Sequence, residues 1–263
     1  MKKLTLLFIS LFVVGILAAC GTSKDEGDGA SNGSGEEKKV LKMATSADYP
    51  PFEYVDTAKG SDIIGFDVDL VNALAEKTGY EVEIQDMDFN SLIPALQAKQ
   101  IDLVLAGMSP TPDREKNVDF TDIYYTTNHN IVSLKDHEIK SIEELEGKKV
   151  GVQLGSIQEG QAKEIAKKVN ITIENRNKIS DLIQELKSGR IDAAIIESIV
   201  AKGYFAKDKT LAGFTMNAGE EAGSAVAFQK GSPYTAEFNE ALKEMKENGE
   251  LEELVNKWFG DQQ

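Results

Sequence analysis

The sequence predicts an α/β protein of two lobes, each a mostly parallel sheet with flanking helices, and three observations carry that expectation. From residue 40 onward, short β-rich runs alternate with amphipathic stretches, which is the pattern of βαβ units. Segments 91–106 and 181–196 repeat one another without gaps at an offset of 90 residues. The chain has 263 residues with 41% hydrophobic side chains, enough to bury one large core or two modest ones.

The first element precedes the lobes. Lys2 and Lys3 stand before an apolar run over residues 4–19, which ends in "LAAC" with the only cysteine, Cys20. A run of that length suits a signal-peptide core or a membrane anchor, and small residues before a cysteine favour processing. The motif resembles a lipobox. That resemblance implies a signal peptide over 1–19, cleavage before Cys20, and a diacylglycerol thioether with its palmitate-type acyl chains on the sulfur. A lone cysteine makes no intramolecular disulfide. Residues 20–39 follow as a lipidated cysteine and a Gly/Ser-rich tether without a large apolar residue, expected to be flexible. Loss of Lys2 and Lys3 would take the net charge from −15 to −17. Such a surface repels phosphate backbones, so no nucleic-acid partner is expected, and contact with the membrane is expected through the lipid anchor only.

In the globular part "VLKMAT" (40–45) reads as a strand. "GFDVDLVNALAEKTG" (65–79) places Phe66, Leu70, Ala73 and Leu74 on one helical face, and "YEVEIQ" (80–85) alternates like a strand. A helix over 91–98 and a strand over 102–106 continue the series. The 90-residue echo matches Leu92 with Leu182, Ile93 with Ile183, Leu96 with Leu186, Ile101 with Ile191 and Asp102 with Asp192. It predicts a second lobe beginning near "NHNIVSLKD". That lobe would contain strand "KKVGVQL", helix 157–168, strand "ITIE", helix 179–188 and strand 192–196. Residues 225–229 make a further strand, and 234–259 supply two helices that have no partner lobe of their own. They are expected to return to the first lobe, giving lobe 1 as 40–127 plus 221–263, lobe 2 as 128–220, and two hinge strands between them.

In open α/β sheets, ligands bind beyond the carboxyl ends of the strands. The loop "GMSPTPDR" (107–114) occupies that place after the strand ending at Ala106. Gly107 permits close backbone approach, Ser109 and Thr111 offer hydroxyls, and Pro112 suits the first turn of a short helix. Arg114 presents a planar fork that can grip a carboxylate, or it can simply pair with Asp113, Glu115 or Asp119. In the second lobe "GSIQEG" (155–160) again places glycine and a hydroxyl at a helix start, whose unpaired N–H groups suit an anion. Glu197, at the end of the echoed strand, could pair with an ammonium. Tyr49, after the first strand, and Phe89 could sandwich a flat or cationic side chain, or belong to the core. Asp48, Glu53 or Asp88 could neutralise such a side chain. His129 and His137 fall at the lobe junction outside any triad pattern and are expected to be surface or hinge residues; no Cys/His cluster has zinc-like spacing.

The lipobox, "TSADYPPFE", "GFDVDLVNALAEKTG", "FNSLIPALQAKQIDLVLAGMSPTPDRE", "VDFTDIYY", "GVQLGSIQE", "GRIDAAIIE" and "ELEELVNKWFG" together resemble the polar amino-acid binding proteins of ABC importers, over about residues 40–260. The likeness is nearest to the arginine-binding lipoproteins of Gram-positive bacteria, within the type 2 periplasmic-binding-protein fold. It implies two lobes closing on one free amino acid, L-arginine before lysine, histidine or glutamine, for delivery to ABC permease subunits, with no cofactor and no metal. Carried over, Arg114 would hold the α-carboxylate with Ser109 and the Ser156 and Ile157 amides. The Gly107 carbonyl, Ser109 and Glu197 would take the α-ammonium. Tyr49 and Phe89 would flank the side chain, with Ser46, Asp48, Met108, Gln153 and Gln158 nearby. Many relatives have Asp where Glu197 stands, so the arginine clamp is the firmer correspondence. A dehydratase using Glu197, or a sensor module, are the other functions this fold supports.

Overall fold

The computed structural model describes residues 39–58, 60–126, 128–216 and 223–260. The expected signal peptide, Cys20 and the tether fall outside the described residues.

Two five-stranded sheets organise the chain. The first has the order β5-β1-β6-β15-β7, built from β1 (Val40–Thr45), β5 (Glu81–Asp86), β6 (Leu103–Val104), β7 (Val118–Phe120) and β15 (Ala227–Gln229). The second has the order β11-β10-β12-β9-β13. Its strands are β9 (His129–Leu134), β10 (Lys149–Gln153), β11 (Thr172–Arg176), β12 (Ala193–Glu197) and β13 (Leu211–Met216). The expectation of mostly parallel sheets holds: in each sheet four of the five strands run the same way, and one, β15 in the first and β9 in the second, runs against them. In each sheet two pairings are parallel and two antiparallel. The reason is the route of the chain: a strand reached through a helical crossover lies parallel to its predecessor, whereas β9 and β15 enter from the other sheet without one. A small pair, β8 (Tyr125–Thr126) with β14 (Gly223–Ser224), marks where the chain leaves and re-enters the first sheet.

The 90-residue echo is structural down to single atoms. Helix α2 (Leu92–Gln97) leads into β6, and α5 (Ile179–Lys187) into β12, each strand third in its sheet. The Asp102 carboxylate accepts from the Lys42 N–H at 2.8 Å, and Asp192 accepts from the Lys149 N–H at 2.8 Å. Each aspartate ties the tight turn after its helix to the neighbouring parallel strand, β1 or β10.

Both faces of each sheet are covered. On one face of the first sheet Leu41 and Met43 pack with Leu70 and Leu74 of α1 (Phe66–Thr78) and with Phe238, Leu242 and Met245 of α7 (Tyr234–Asn248). Ala44 and Val104 face Leu92 and Leu96 on the other. In the second sheet Val150, Val152 and Ile195 pack with Ala162 and Ile165 of α4 (Ile157–Ala166). The last helix, α8 (Glu250–Phe259), sends Phe259 into an aromatic knot with Phe52, Phe66 and Tyr125, at centroid distances of 5.1, 4.9 and 4.4 Å. Rings at such separations contribute beyond their burial. The knot anchors the three-stranded hairpin of β2 (Asp48–Tyr49), β3 (Glu53–Val55) and β4 (Ile63–Ile64), which carries two of the cleft residues. A helix the sequence pattern did not announce, α6 (Ser198–Lys207), starts directly after Glu197. Among the described residues no helix is long and apolar enough to cross a membrane.

If the echoed aspartates do the same work, Asp102→Ala and Asp192→Ala should each cost about 0.5–1.5 kcal/mol in urea denaturation. A loss confined to one of the two would contradict the equivalence.

Candidate ligand-binding site

The carboxyl ends of the two sheets face one cavity, in the place where open α/β sheets bind ligands. Of the thirteen positions expected from sequence, eleven line it: Ser46, Tyr49, Phe89, Gly107, Ser109, Arg114, Gln153, Ser156, Ile157, Gln158 and Glu197. Two do not. Met108 is buried in the core with Phe89 and Leu92. The Asp48 carboxylate is engaged elsewhere, accepting from the Ile179 N–H at 2.5 Å and the Ser46 hydroxyl at 3.1 Å. It caps the start of α5, a structural task set by strand parity: Tyr49 and Asp48 point to opposite sides of β2.

Arg114 is placed by a short helix, α3 (Pro112–Glu115), whose N-cap Thr111 accepts from the Arg114 N–H at 3.2 Å, with Pro112 opening the turn. Its guanidinium donates to the Ser109 carbonyl at 2.7 Å and, across the cleft, to the Gly155 carbonyl at 2.9 Å. It lies 5.4 Å from the Phe89 ring centroid, a cation–π distance. The opposing loop turns at Gly155, with φ +76, and α4 begins beside it. Ser156 caps that helix by accepting from the Glu159 N–H at 3.2 Å, while Glu159 accepts from the Gly155 N–H at 2.8 Å. This is a variant of the Ser-x-x-Glu capping box. The first amides of α4 face the same cavity as Arg114, so two loops with donor character meet at one end of the cleft.

The other end is acidic. Tyr49 donates its hydroxyl to Glu197 Oε2 at 2.8 Å, joining the hairpin of the first sheet to β12 of the second. Glu197 Oε1 is buried with no hydrogen-bond partner. Burial pushes the Glu197 carboxyl up to about 8; the Tyr49 hydroxyl opposes this and the charge of Asp67 adds to it. Gly107, with φ +54, sits so close that a Cβ there would meet the Tyr49 ring at 3.1 Å. Its N–H donates to Asp67 Oδ2 at 2.9 Å.

Three wall residues escaped the sequence reading, Ala106, His129 and Ser224, and a fourth, Glu53, was one of its three acidic candidates for a cationic side chain. Glu53 is fully buried, and neither carboxylate oxygen has a donor. Burial, then the Asp67 charge, push its carboxyl well above the usual range. His129, expected at the surface or hinge, is instead 1% exposed because it opens β9 opposite Glu197. Its Nδ1 lies 2.6 Å from Gln161 Oε1 and its Nε2 lies 3.1 Å from Gln158 Nε2. This fits a neutral ring that donates to Gln161 and accepts from Gln158, and burial lowers its pKa accordingly. His137 is exposed, as expected. Among the described residues no group of three or more His, Cys, Asp or Glu could hold a metal ion.

Replacing Tyr49 with phenylalanine removes the donor that favours the charged form of Glu197. Its titration, followed by carboxyl carbon NMR, should then move above the present value of about 8. An unchanged or lower midpoint would contradict the assignment of that hydrogen bond.

This geometry can be set beside known proteins. The chain is 57% identical over 261 residues to the arginine-binding extracellular protein ArtP of Bacillus subtilis (strain 168), covering 98% of each. It resembles the crystal structure of the substrate-binding protein of an amino acid ABC transporter, with a TM-score of 0.79, 42% identity, and 84% of this chain and 99% of that one covered. An ancestral arginine-binding protein bound to arginine gives a TM-score of 0.79 at 40% identity, with the same coverage of 84% and 99%. Residues 41–261 match the family model of the bacterial extracellular solute-binding proteins, family 3, and the chain belongs to that family.

Proposed function

We propose that the chain is a lipid-anchored receptor on the outer face of the cell membrane that binds free L-arginine and delivers it to the permease subunits of an ABC importer. One observation carries the ligand choice: the cavity joins a guanidinium at one end to two buried carboxyls, Glu197 and Glu53, at the other. L-Arginine offers the complementary set of one carboxylate and two cations. Arg114 takes the α-carboxylate with the Ser156 and Ile157 amides; Glu197, Ser109 and the Gly107 carbonyl take the α-ammonium. Glu53 takes the guanidinium, with Tyr49 and Phe89 flanking the side chain and Ser46, Gln153 and Gln158 completing the wall. Glu53 is favoured over the other acidic candidates because Asp48 is occupied at α5 and Asp88 accepts from the Asn177 amide at 2.9 Å, outside the cavity lining.

The lobes in this reading are 40–127 plus 221–263 and 128–220, joined by two connections. Ligand binds one lobe, closure adds contacts from the other, and the closed population rises in proportion to the difference in affinity. The names of the relatives support arginine and the ABC transporter, and the cysteine motif supports the anchor through Cys20. Binding rather than catalysis is favoured because the buried acid, Glu197, is held by Tyr49 and lacks a paired base arranged for proton transfer. A glutamine-type ligand is the second reading, and it leaves Glu53 facing a neutral group.

Isothermal calorimetry decides between them. L-Arginine should bind at micromolar concentrations or below and more tightly than glutamine. Arg114→Ala should weaken binding at least about 100-fold, as loss of one partner of a buried charge pair does, and Glu53→Gln should narrow the gap between arginine and glutamine. Tighter binding of glutamine than of any basic amino acid would overturn the arginine assignment.

A further inference from the structure

We infer that the cationic side chain of the ligand displaces a proton held between Glu53 and Asp67. Binding of a basic amino acid would then release one more proton than binding of a neutral one, and Asp67, behind the wall, would be the residue that sets this coupling. The inference rests on the functional reading above and deepens it.

Glu53 and Asp67 are both fully buried, on β3 and α1. Asp67 Oδ2 accepts from the Gly107 N–H and from the Tyr124 hydroxyl, each at 2.9 Å. With both groups taken as carboxylates, Asp67 Oδ1 and both Glu53 oxygens have no donor at all. Three acceptors without a protein donor in a fully buried site, with two like charges in contact, are not a stable arrangement. The side chains are nevertheless within hydrogen-bonding reach of each other. A single proton resolves the conflict, since a protonated carboxyl is a donor. The two donors on Asp67 favour its charged form, so the proton belongs on Glu53. The titration tendencies agree: Asp67 is raised only to about 6 by burial, with Gly107, Tyr124 and Glu53 opposing, while Glu53 is pushed well above the usual range.

The other groups facing this pair supply no positive charge to replace the proton. From β2 come Tyr49 and Asp48, from the segment before β8 Tyr124, and from β12 Glu197. His129 of β9 lines the same cavity as a neutral ring, and Arg114 stands at the opposite end between the Ser109 and Gly155 carbonyls. A guanidinium arriving at Glu53 therefore meets a neutral carboxyl, and forming the ion pair sends its proton to solvent. The sign follows directly: binding releases a proton, so arginine affinity rises with pH while Glu53 is protonated in the free protein, by up to about tenfold per pH unit. Glu197 can lose a proton in the same way to an α-ammonium. Every amino acid carries that group, so comparing two ligands removes it.

The test is calorimetry near neutral pH in two buffers of different ionisation enthalpy, using L-arginine and its neutral isostere L-citrulline. Arginine should release up to about one proton more than citrulline. In Asp67→Asn the amide can still accept from Gly107 and Tyr124 while its NH2 group donates to Glu53, which is then ionised before ligand arrives. That variant should bind arginine with the extra proton gone and the pH dependence flattened. Equal proton release by the two ligands in the unmodified chain overturns the inference, as does extra release that persists in Asp67→Asn. The comparison on the unmodified chain holds even if the variant does not fold. Arginine binding without extra release sinks this inference alone, whereas absence of arginine binding sinks the functional reading along with it.

Discussion

The Arg114 guanidinium reaches from the first sheet's loop, where it meets the Ser109 carbonyl, to the Gly155 carbonyl of the second, with the Phe89 ring beneath it. This one side chain makes the cleft a site and not merely a gap. Its position depends on a chain of local causes: Thr111 and Pro112 start α3, α3 fixes the direction of Arg114, and the glycine turn at 155 brings a backbone carbonyl within reach. A lysine could supply the charge but not two divergent donors in one plane.

The remaining electrostatics follow from where that cation sits. A positive group and a helix start occupy one end of the cavity; Glu53 and Glu197 line the other with Asp67 behind them, and burial pushes all three carboxyls upward. A buried acidic floor is unfavourable by itself and is relieved by a ligand that brings positive charge. Discrimination then comes from the protein's own unpaired groups, since a ligand lacking the matching cation leaves them unsatisfied. The Tyr49–Glu197 hydrogen bond adds a second tie, from the hairpin beside the first sheet to β12 of the second, and holds the Glu197 carboxyl in place.

Much of this was legible in the chain itself. A glycine, hydroxyl and arginine loop after a buried strand announces an anion site because strand ends in open sheets leave backbone donors exposed. Likewise, the glycine and hydroxyl at 155 and 156 announce a helix start, and the echoed Asp102 and Asp192 announce two equivalent turns. What escaped the sequence depends on pairing between distant segments. Glu53, one of three acidic candidates in the sequence, is set apart from the other two because a hairpin pairs it with Tyr49, and His129 reaches the wall because β9 runs antiparallel to β12, opposite Glu197. Ser224 is there because β14 pairs with β8 where the chain re-enters the first sheet. Asp48 went the other way: one residue of strand parity turns it from the cavity toward α5. Local periodicity carries no information about such registers.

The account stands on the claim that Arg114 grips the carboxylate of a bound amino acid. A crystal structure of the chain grown with L-arginine tests it most directly. The account predicts ligand carboxylate oxygens about 3 Å from the Arg114 guanidinium nitrogens, with the ligand's own guanidinium beside Glu53. A ligand seated elsewhere, or one whose carboxylate contacts neither Arg114 nor the start of α4, would contradict it.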